Sequence, residues 1–326
     1  MIYFQWTFRD LAMRIKILGS ESLGVRGLSC VVESRNRRIV IDPGLALGYQ
    51  RHNLLPHPFQ VAVGESVRRK IVDALKDCTD IVISHFHGDH IPLVHANPFQ
   101  LSAQKVSAYI NKPRLFCKCS DRLSPAMGKR SDDLSRILKR LLPCSEGQAD
   151  GPLCFSQSMP HGEANTHLGE VMMTRVADTE GIFVHASDIQ LLDDLPIEQI
   201  LDWNPSIVFA SGPALYLKYL SSMKRKRARK NALILARHVP ILILDHHMLR
   251  NEEGYRFLED LSASAGHKIY CAADYMKRRR LPLEAWRQRL YKEMPVSEGW
   301  HRAYAQGNAD TTPYWKWRDF NIEQTS

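Results

Sequence analysis

The sequence concentrates metal-ligand side chains in one short motif, His85-Phe86-His87-Gly88-Asp89-His90. Neutral imidazoles and carboxylates are the ligands that divalent transition metals prefer. The spacing lets His85 and His87 face one ion while Asp89 and His90 turn towards a second. A solvated turn rich in histidine is the alternative, but the motif directly follows an apolar stretch and holds three of the chain's 14 histidines. We therefore predict a metal site here.

Further candidate ligands lie far along the chain, as a binuclear site requires, because about seven ligands must converge from several segments. Each of them stands at the end of a predicted strand. These candidates are His161, Asp188, His246 and His247. A lone histidine at such a position is more often structural than metal-bound, so each is a weaker candidate than the hexad.

Strand-like segments alternate with helical ones, which is typical of an α/β fold. Residues 65–76 have the apolar spacing of an amphipathic helix, and residues 80–84 have the composition of a buried strand. The hexad therefore falls at the carboxyl end of a strand, where α/β folds place their chemistry. A hairpin over residues 171–186 brings Asp188 to its end. A short strand over residues 241–244 stops at Asp245-His246-His247. Further helices are predicted over residues 132–142, 214–238, 254–265 and 283–293, and a last strand over residues 268–271.

The order of the candidate ligands resembles the metallo-β-lactamase superfamily, in which an H-x-H-x-D-H hexad is followed by a histidine, an aspartate and a final histidine. The resemblance extends over residues 13–271 and implies an α/β fold, a four-layer αββα sandwich. It also implies how the ligands are shared between two ions: His85, His87 and His161 would hold one, Asp89, His90 and His246 the other, and Asp188 would bridge them.

Two neighbouring histidines compete for the last ligand position. His246 is preferred because it comes first after the strand and is followed four residues later by Arg250, similar to the tRNA-processing branch of the superfamily. His247 is the alternative. Whichever of the two does not bind metal would support the site or contact the substrate.

Asp42, in Val40-Ile41-Asp42-Pro43-Gly44, matches the first motif of the superfamily, an aspartate that supports the site without binding metal. Capping the turn before Pro43 is compatible with that role. Residues 20–26 and 245–250 resemble an uncharacterised, largely archaeal group of predicted metal-dependent hydrolases in this superfamily. In the first of these segments Arg26 would reach an anionic substrate, although a plain turn with a solvated arginine fits the same residues.

The chemistry of such a site would be hydrolysis. Two dications about 3.5–4 Å apart lower the pKa of a shared water until hydroxide exists at neutral pH, and they polarise a carbonyl or phosphoryl oxygen. Asp89 would act as the catalytic residue that orients this hydroxide, and His52, His57 or His185 could donate a proton to the leaving group. The expected substrate is an ester, thioester, lactone or phosphodiester. The expected cofactor is two divalent metal ions, zinc first, with iron or manganese as alternatives.

Positive charge exceeds negative charge, with 44 Lys and Arg against 35 Asp and Glu and a net charge of +9. Much of the excess lies in residues 224–230 and 277–280. Such runs can bind nucleic acid through its phosphates, which makes a nuclease the second hypothesis, although a solvated surface has the same composition. A di-iron redox protein on the same scaffold is a third, because histidine and aspartate also suit iron.

Cysteine usage and hydropathy bear on the compartment. The seven cysteines have no paired spacing that suggests a disulfide framework, which favours a reducing compartment and a cytoplasmic protein. Cys117 and Cys119 could hold a metal but are more simply two ordinary thiols. No apolar run approaches the ~20 residues of a membrane span.

The predicted organisation has three parts. Residues 1–12 form an N-terminal extension, residues 13–294 one hydrolase domain, and residues 295–326 a C-terminal tail that is partly disordered. No feature of the sequence predicts the oligomeric state.

Overall fold

Two β-sheets form the centre of the fold in this computed structural model, which describes residues 13–121, 123–164, 166 and 168–314. The first sheet has five strands in the order β1-β2-β3-β4-β5. The pairs β1–β2 and β2–β3 are antiparallel, and β3, β4 and β5 are parallel. These strands are β1 (Arg14–Gly19), β2 (Ser29–Ser34), β3 (Arg37–Ile41), β4 (Asp80–Ile83) and β5 (Arg114–Cys117).

The second sheet has six strands in the order β11-β10-β9-β8-β7-β6. Its pairs are antiparallel from β6 to β9 and parallel from β9 to β11. These strands are β6 (Ala149–Asp150), β7 (Leu153–Pro160), β8 (Glu170–Asp178), β9 (Gly181–Ser187), β10 (Ile207–Ala210) and β11 (Ile241–Leu244).

Helices cover the outer face of each sheet. Against the first sheet lie α1 (Pro58–Lys76), α2 (Ala103–Ile110) and α3 (Pro125–Leu138), and against the second lie α4 (Leu195–Trp203), α5 (Ser222–His238) and α6 (Glu252–Ala265). Three short helices follow, namely α7 (Ala272–Tyr275), α8 (Arg287–Glu293) and α9 (Trp300–Ala305).

Alternation along the strands of the first sheet separates two hydrophobic cores. Successive side chains of a strand point to opposite faces. Ile39 and Ile41 therefore pack towards the second sheet, whereas Val40 between them packs with α1, α2 and α3. All three side chains are fully buried. The expected four-layer αββα arrangement is confirmed by this order of helices, sheet, sheet and helices.

Several predicted boundaries were wrong, because local end signals compete with apolar spacing. The helix predicted over residues 214–238 begins only at Ser222, where the side chain of Ser221 accepts the backbone N–H of Lys224. The helix predicted over 132–142 is instead α3. Ser124 caps its start, Pro125 occupies its first turn, and Lys139 ends it with a left-handed φ of 53°.

Two further predictions near the C-terminus were also wrong. The strand predicted over residues 268–271 reduces to one bridge between Tyr270 and Ile243. The helix predicted over 283–293 begins at Arg287. In the predicted tail, Trp300 is buried and Tyr304 donates to Glu65 on α1 at 2.8 Å, so residues up to 314 pack onto the domain. The predicted extension over residues 1–12 and residues 315–326 of the tail lie outside the described residues.

Cys119 and Cys144 form a disulfide, which corrects the expectation of unpaired thiols. The two residues are 25 positions apart, a spacing without a recognisable pattern, and they meet because the chain before β6 returns alongside the end of β5. Cys117 stays a free, buried thiol. Among the described residues, no helix is both long enough and apolar enough to cross a membrane.

Candidate metal centre

The ends of four strands position the predicted ligands. His85 directly follows Ser84 at the end of β4, His161 follows β7, Asp188 follows β9, and His246 lies two residues beyond β11. These strands belong to both sheets, so the candidate site lies where the two sheets meet at one edge. Residues far apart in sequence converge because their strands end at this edge.

A first group of ligand atoms surrounds one position. Nε2 of His85 lies 3.0 Å from Nδ1 of His87, and Nε2 of His161 lies 3.2 Å from Oδ2 of Asp188. The ligand atoms of all four residues lie within 4.8 Å of one another. The two histidine nitrogens face each other at hydrogen-bond distance, and a carboxylate lies in the same pocket. A cation bound between the two nitrogens would stabilise this arrangement.

A second group lies next to the first and shares Asp188 with it. Nε2 of His246 is 3.3 Å from Oδ2 of Asp89, and these atoms lie within 4.8 Å of a ring nitrogen of His90. Oδ2 of Asp188 is 3.1 Å from Nε2 of His90 and 3.7 Å from Nε2 of His246. The structure thus brings the seven predicted ligand residues into one cluster with Asp188 between the two groups.

His247 also reaches this cluster, where its ligand atom lies within 4.8 Å of ligand atoms of Asp188 and His246. Its Nε2 lies 3.1 Å from Oδ2 of Asp188, and its ring packs edge-on against His161 with centroids 5.3 Å apart. It does not belong to the group that Asp89 and His90 form with His246. The side chain of His247 is 12% exposed and that of His246 is fully buried, so His247 faces the open side of the cluster.

Hydrogen bonds behind the ligands orient their rings. Asp42 accepts from Nδ1 of His90 at 2.8 Å, and it also accepts from the backbone N–H and the hydroxyl of Ser84. Asp42 therefore lies where the sequence places a supporting carboxylate. The Ser84 hydroxyl is 2.9 Å from Nδ1 of His85, and Gln190 Nε2 is 3.3 Å from Nδ1 of His161. A ring nitrogen held from behind leaves the other nitrogen directed into the cluster.

The electrostatics of the cluster favour positive charge at its centre. Burial lowers the pKa of His85 well below its usual value and that of His87 to about 3. For His90 burial acts in the same direction, but Asp188 and Asp42 outweigh it and raise its pKa well above the usual range. Burial would raise the pKa of Asp188, but the surrounding histidines lower it. The ionised carboxylate thus stabilises a cation beside His90.

Within the described residues, three buried polar atoms of the cluster lack a partner with hydrogen-bond geometry, namely Nε2 of His90, Oδ1 of Asp188 and Nδ1 of His247. Nε2 of His90 still lies 3.1 Å from Oδ2 of Asp188. An unpaired buried nitrogen or oxygen of this kind is costly unless it binds a ligand. The donor set of histidine nitrogens and carboxylate oxygens therefore fits divalent transition metals.

Asp245 is a structural residue of the site that sequence reasoning missed. Its buried carboxylate accepts from the hydroxyls of Ser20 and Ser22 at 2.7 and 2.5 Å, and from the backbone N–H of Ala272 at 2.8 Å. It therefore ties residues 20–27 to the end of β11. Residues 20–26 and 245–250 are the two segments that resemble the archaeal group in sequence. Only the structure shows that the two segments touch.

The loop over residues 20–27 packs against the hexad and against His246. The backbone N–H of Gly27 lies 3.1 Å from Nδ1 of His246, and Oε2 of Glu21 lies 3.6 Å from the same nitrogen. Gly27 has a φ of 114°, and a Cβ atom on it would lie 2.5 Å from the carbonyl oxygen of Asp89. Only glycine fits this close approach without displacing the backbone.

The guanidinium of Arg26, the predicted substrate contact, is paired with a carboxylate. Its Nε and Nη2 donate to Glu284 at 2.7 and 2.5 Å, and the Glu284 side chain is fully buried. Arg26 is therefore paired with a buried carboxylate, and its own side chain is 26% exposed. Arg250 lies closer to the ligands, with Nη2 3.0 Å from Nε2 of His246 and 3.6 Å from Oδ2 of Asp89.

Two of the histidines suggested as proton donors have structural contacts elsewhere. His57 caps α1 through Nδ1, which accepts the N–H of Phe59, and its Nε2 lies 2.9 Å from the carbonyl oxygen of Met294. His185 is buried on β9, where its Nε2 lies 2.9 Å from the carbonyl oxygen of Leu28. His52 is exposed in the turn before α1.

Comparison with known proteins identifies similar sequences over nearly the whole chain. The model of the metallo-β-lactamase superfamily matches residues 24–95. A UPF0282 protein of Methanosarcina mazei is 46% identical over 302 residues, which cover 93% of this chain and 99% of the relative. A UPF0282 protein of Thermococcus onnurineus is 33% identical over 294 residues, covering 86% and 95%.

Comparison with solved structures also gives matches at low sequence identity. Tm1679, a metal-dependent hydrolase of the β-lactamase superfamily, is 16% identical with a TM-score of 0.48, covering 80% of this chain and 96% of the other. The dizinc quorum-quenching lactonase AidC is 13% identical with a TM-score of 0.34, covering 56% and 70%.

Proposed function

The chain belongs to the UPF0282 family within the metallo-β-lactamase superfamily, and on that premise we propose that it is a hydrolase with a binuclear metal centre. The proposed substrates are esters, thioesters, lactones or phosphodiesters. The observation that carries the proposal is the position of Asp188, whose Oδ2 lies within 3.7 Å of histidine nitrogens from both groups of ligands.

The seven ligand residues would bind the two ions in two sets. His85, His87 and His161 would bind one ion, Asp89, His90 and His246 the other, and Asp188 both. The bound ions would lower the pKa of a water molecule and polarise the oxygen of the scissile group. Zinc is the first candidate because the nitrogen-rich donor set suits it, and iron and manganese are the alternatives.

Asp89 is the proposed catalytic residue. Its side chain is 16% exposed, whereas the side chain of Asp188 is 1% exposed, so Asp89 is the ligand carboxylate that a water molecule can reach. Its pKa is well below the usual value, because His246 and His90 outweigh the effect of burial. An ionised carboxylate at this position accepts a hydrogen bond from the attacking water and orients it.

The test combines elemental analysis with a panel of substrates. We expect about two transition-metal ions per purified chain and hydrolysis of at least one ester, thioester, lactone or phosphodiester. His161→Ala should lower both metal content and activity. The control is His238→Ala, which changes an exposed histidine at the end of α5. Fewer than one metal ion per wild-type chain would contradict the binuclear proposal.

A nucleic acid substrate is the second candidate, because the basic helix α5 begins beside the site. Lys224 in its first turn forms an ion pair at 2.5 Å with Glu163, two residues after His161. Lys226, Arg229 and Lys230 are exposed on the same helix. A phosphodiester backbone crossing the metal centre could continue along this row of cations.

A further inference from the structure

A cluster of arginines surrounds two buried glutamates next to the metal centre. Glu284 accepts from Arg26 at 2.7 Å and from Arg51 at 3.3 Å, and Glu21 Oε2 lies 3.5 Å from Nε of Arg250. Arg287, also buried, adds a fourth guanidinium close enough to help lower the pKa of Glu284. We call these residues the arginine cluster. It contains four arginines and two carboxylates.

The charges of this cluster do not balance. Burial opposes ionisation of Glu284, but Arg26 and the other arginines outweigh it and lower its pKa to about 2. Four guanidinium groups face the two carboxylates of Glu21 and Glu284, so the cluster carries surplus positive charge even when both carboxylates are ionised.

Arg250 places part of this surplus positive charge beside the metal ligands. It is 7% exposed, and its Nη2 lies 3.0 Å from Nε2 of His246. Its Nε lies 3.5 Å from Oε2 of Glu21 and has no hydrogen bond of good geometry among the described residues. A guanidinium can only donate, and it repels a dication at its side. An anion between the two cations removes that repulsion.

Arg51 and Tyr216 connect Arg250 to solvent. Nη1 of Arg250 donates to the Tyr216 hydroxyl at 3.3 Å, and the Arg51 guanidinium lies over the Tyr216 ring, 5.2 Å from its centroid. The Arg51 side chain is 16% exposed and that of Arg250 is 8% exposed. Arg51 also has a buried Nε without a hydrogen-bond partner in the described chain. The guanidinium groups of Arg51 and Arg250 thus extend from the surface towards the metal ligands.

We propose that Arg51, Arg250 and Tyr216 bind an oxyanion, a phosphate or carboxylate group, of the substrate beside the metal centre. Guanidinium groups match the geometry of such anions and form charge-assisted hydrogen bonds with them. A purely structural role satisfies Arg26, whose two donors pair with Glu284, but it leaves Nε of Arg51 without a hydrogen bond among the described residues and Nε of Arg250 with only a 3.5 Å contact to Glu21. The oxyanion site takes its link to catalysis from the proposed hydrolase function, whereas anion binding itself is measurable without turnover.

The binding test uses inorganic phosphate and isothermal titration calorimetry on the metal-loaded protein. We expect Arg51→Gln to weaken phosphate binding by roughly ten-fold, the effect of losing a charge-assisted hydrogen bond. The matched control is Arg237→Gln, which removes an exposed arginine near the end of α5. It should leave the affinity unchanged. Equal phosphate affinity in wild type and Arg51→Gln would overturn the proposal.

A second variant distinguishes the effect of the guanidinium geometry of Arg250 from the effect of its positive charge. Arg250→Lys keeps the positive charge in the buried position but loses the planar fork of the guanidinium. We expect it to fold with an unchanged circular dichroism spectrum and to bind phosphate more weakly than wild type. Wild-type affinity in this variant would contradict a role for the guanidinium of Arg250.

A kinetic comparison distinguishes failure of this proposal from failure of the hydrolase proposal. Arg51→Gln should raise KM for 4-nitrophenyl esters or phosphodiesters that carry an anionic group but not for a neutral ester such as 4-nitrophenyl acetate. Equal KM changes for both substrate types would overturn the oxyanion site while leaving the hydrolase intact. Arg51-dependent phosphate binding without turnover of any substrate would support the oxyanion site and count against the proposed function.

Discussion

His246 and His247 are adjacent in sequence, yet they meet different neighbours. His246 has a left-handed φ of 28°, and this turn directs its ring towards Asp89 and His90. His247 contacts Asp188, as His246 also does, but it does so from the side of His161. Left-handed backbone is uncommon for a residue with a side chain and is costly unless its surroundings hold it. The hydrogen bond from the backbone N–H of His246 to Asp245, at 2.8 Å, is one such restraint.

This difference predicts unequal effects of substitution on metal content. His246→Ala should lower the metal content from about two ions to about one per chain, because it removes a nitrogen from the group with Asp89 and His90. His247→Ala should retain both ions, because Asp188 remains bound to the other ligands. Elemental analysis of the two purified variants measures this. The reverse result would make His247 the ligand.

The loop over residues 20–27 and helix α1 show how elements position the site. Asp245 holds the loop at the end of β11, and the loop in turn carries Glu21 and Gly27 to His246. Helix α1 packs behind the first sheet and begins at Pro58, directly after His57, whose neutral ring caps the first turn. The cap requires an unprotonated Nδ1, because this nitrogen accepts the N–H of Phe59.

This cap predicts a pH-dependent stability. Burial lowers the pKa of His57 from 6.5 to about 4. Between these values the unfolded chain protonates His57 and the folded chain does not, so the free energy of unfolding decreases as the pH falls from 6.5 to about 4. The expected loss from this residue between pH 7 and pH 5 is about 2 kcal/mol.

The measurement is urea unfolding at pH 7 and pH 5 for wild type and His57→Asn. Asparagine can cap the helix but does not titrate in this range. Other buried histidines contribute equally to both proteins, so the variant should lose less stability than wild type on acidification. The same loss in both proteins would show that His57 is not responsible.

Over the whole molecule, positive charge is distributed unevenly with respect to the candidate site. In α5, Lys224 and Arg225 are paired with Glu163 and Glu253, whereas Lys226, Arg229 and Lys230 are exposed. In the second basic run, Arg280 pairs with Asp274, whereas Lys277, Arg278 and Arg279 are exposed. Helix α5 is the run that begins beside the candidate site, at Glu163, so its exposed cations test the nucleic acid proposal most directly.

If this stretch binds RNA, affinity should fall with salt in a way that depends on its cations. Lys226→Gln/Arg229→Gln/Lys230→Gln should weaken binding of single-stranded RNA and reduce the slope of log affinity against log salt by roughly 2. The control triple replaces Lys105, Lys112 and Arg302, three exposed cations on other elements. Fluorescence anisotropy from 50 to 300 mM salt measures both proteins. Wild-type binding that does not change with salt would remove the support for this candidate.

What the sequence determined by itself was the local chemistry and the type of fold. The hexad after a buried strand, the later ligand candidates at strand ends and the α/β alternation are all readable from neighbouring residues. Helix starts were less readable, because a cap such as Ser221 and a proline such as Pro125 decide them within one or two positions. The apolar spacing that extends past such a signal predicted a longer helix than the chain forms.

Only the tertiary structure decided which distant side chains touch. Arg26 pairs with Glu284, which is 258 residues away in sequence, and the Cys119–Cys144 disulfide likewise lacks any spacing pattern. The unequal surroundings of His246 and His247 depend on a backbone turn that their shared residue type cannot reveal. Pairings of this kind depend on how strands and loops meet in space. A single sequence does not show which distant residues become neighbours.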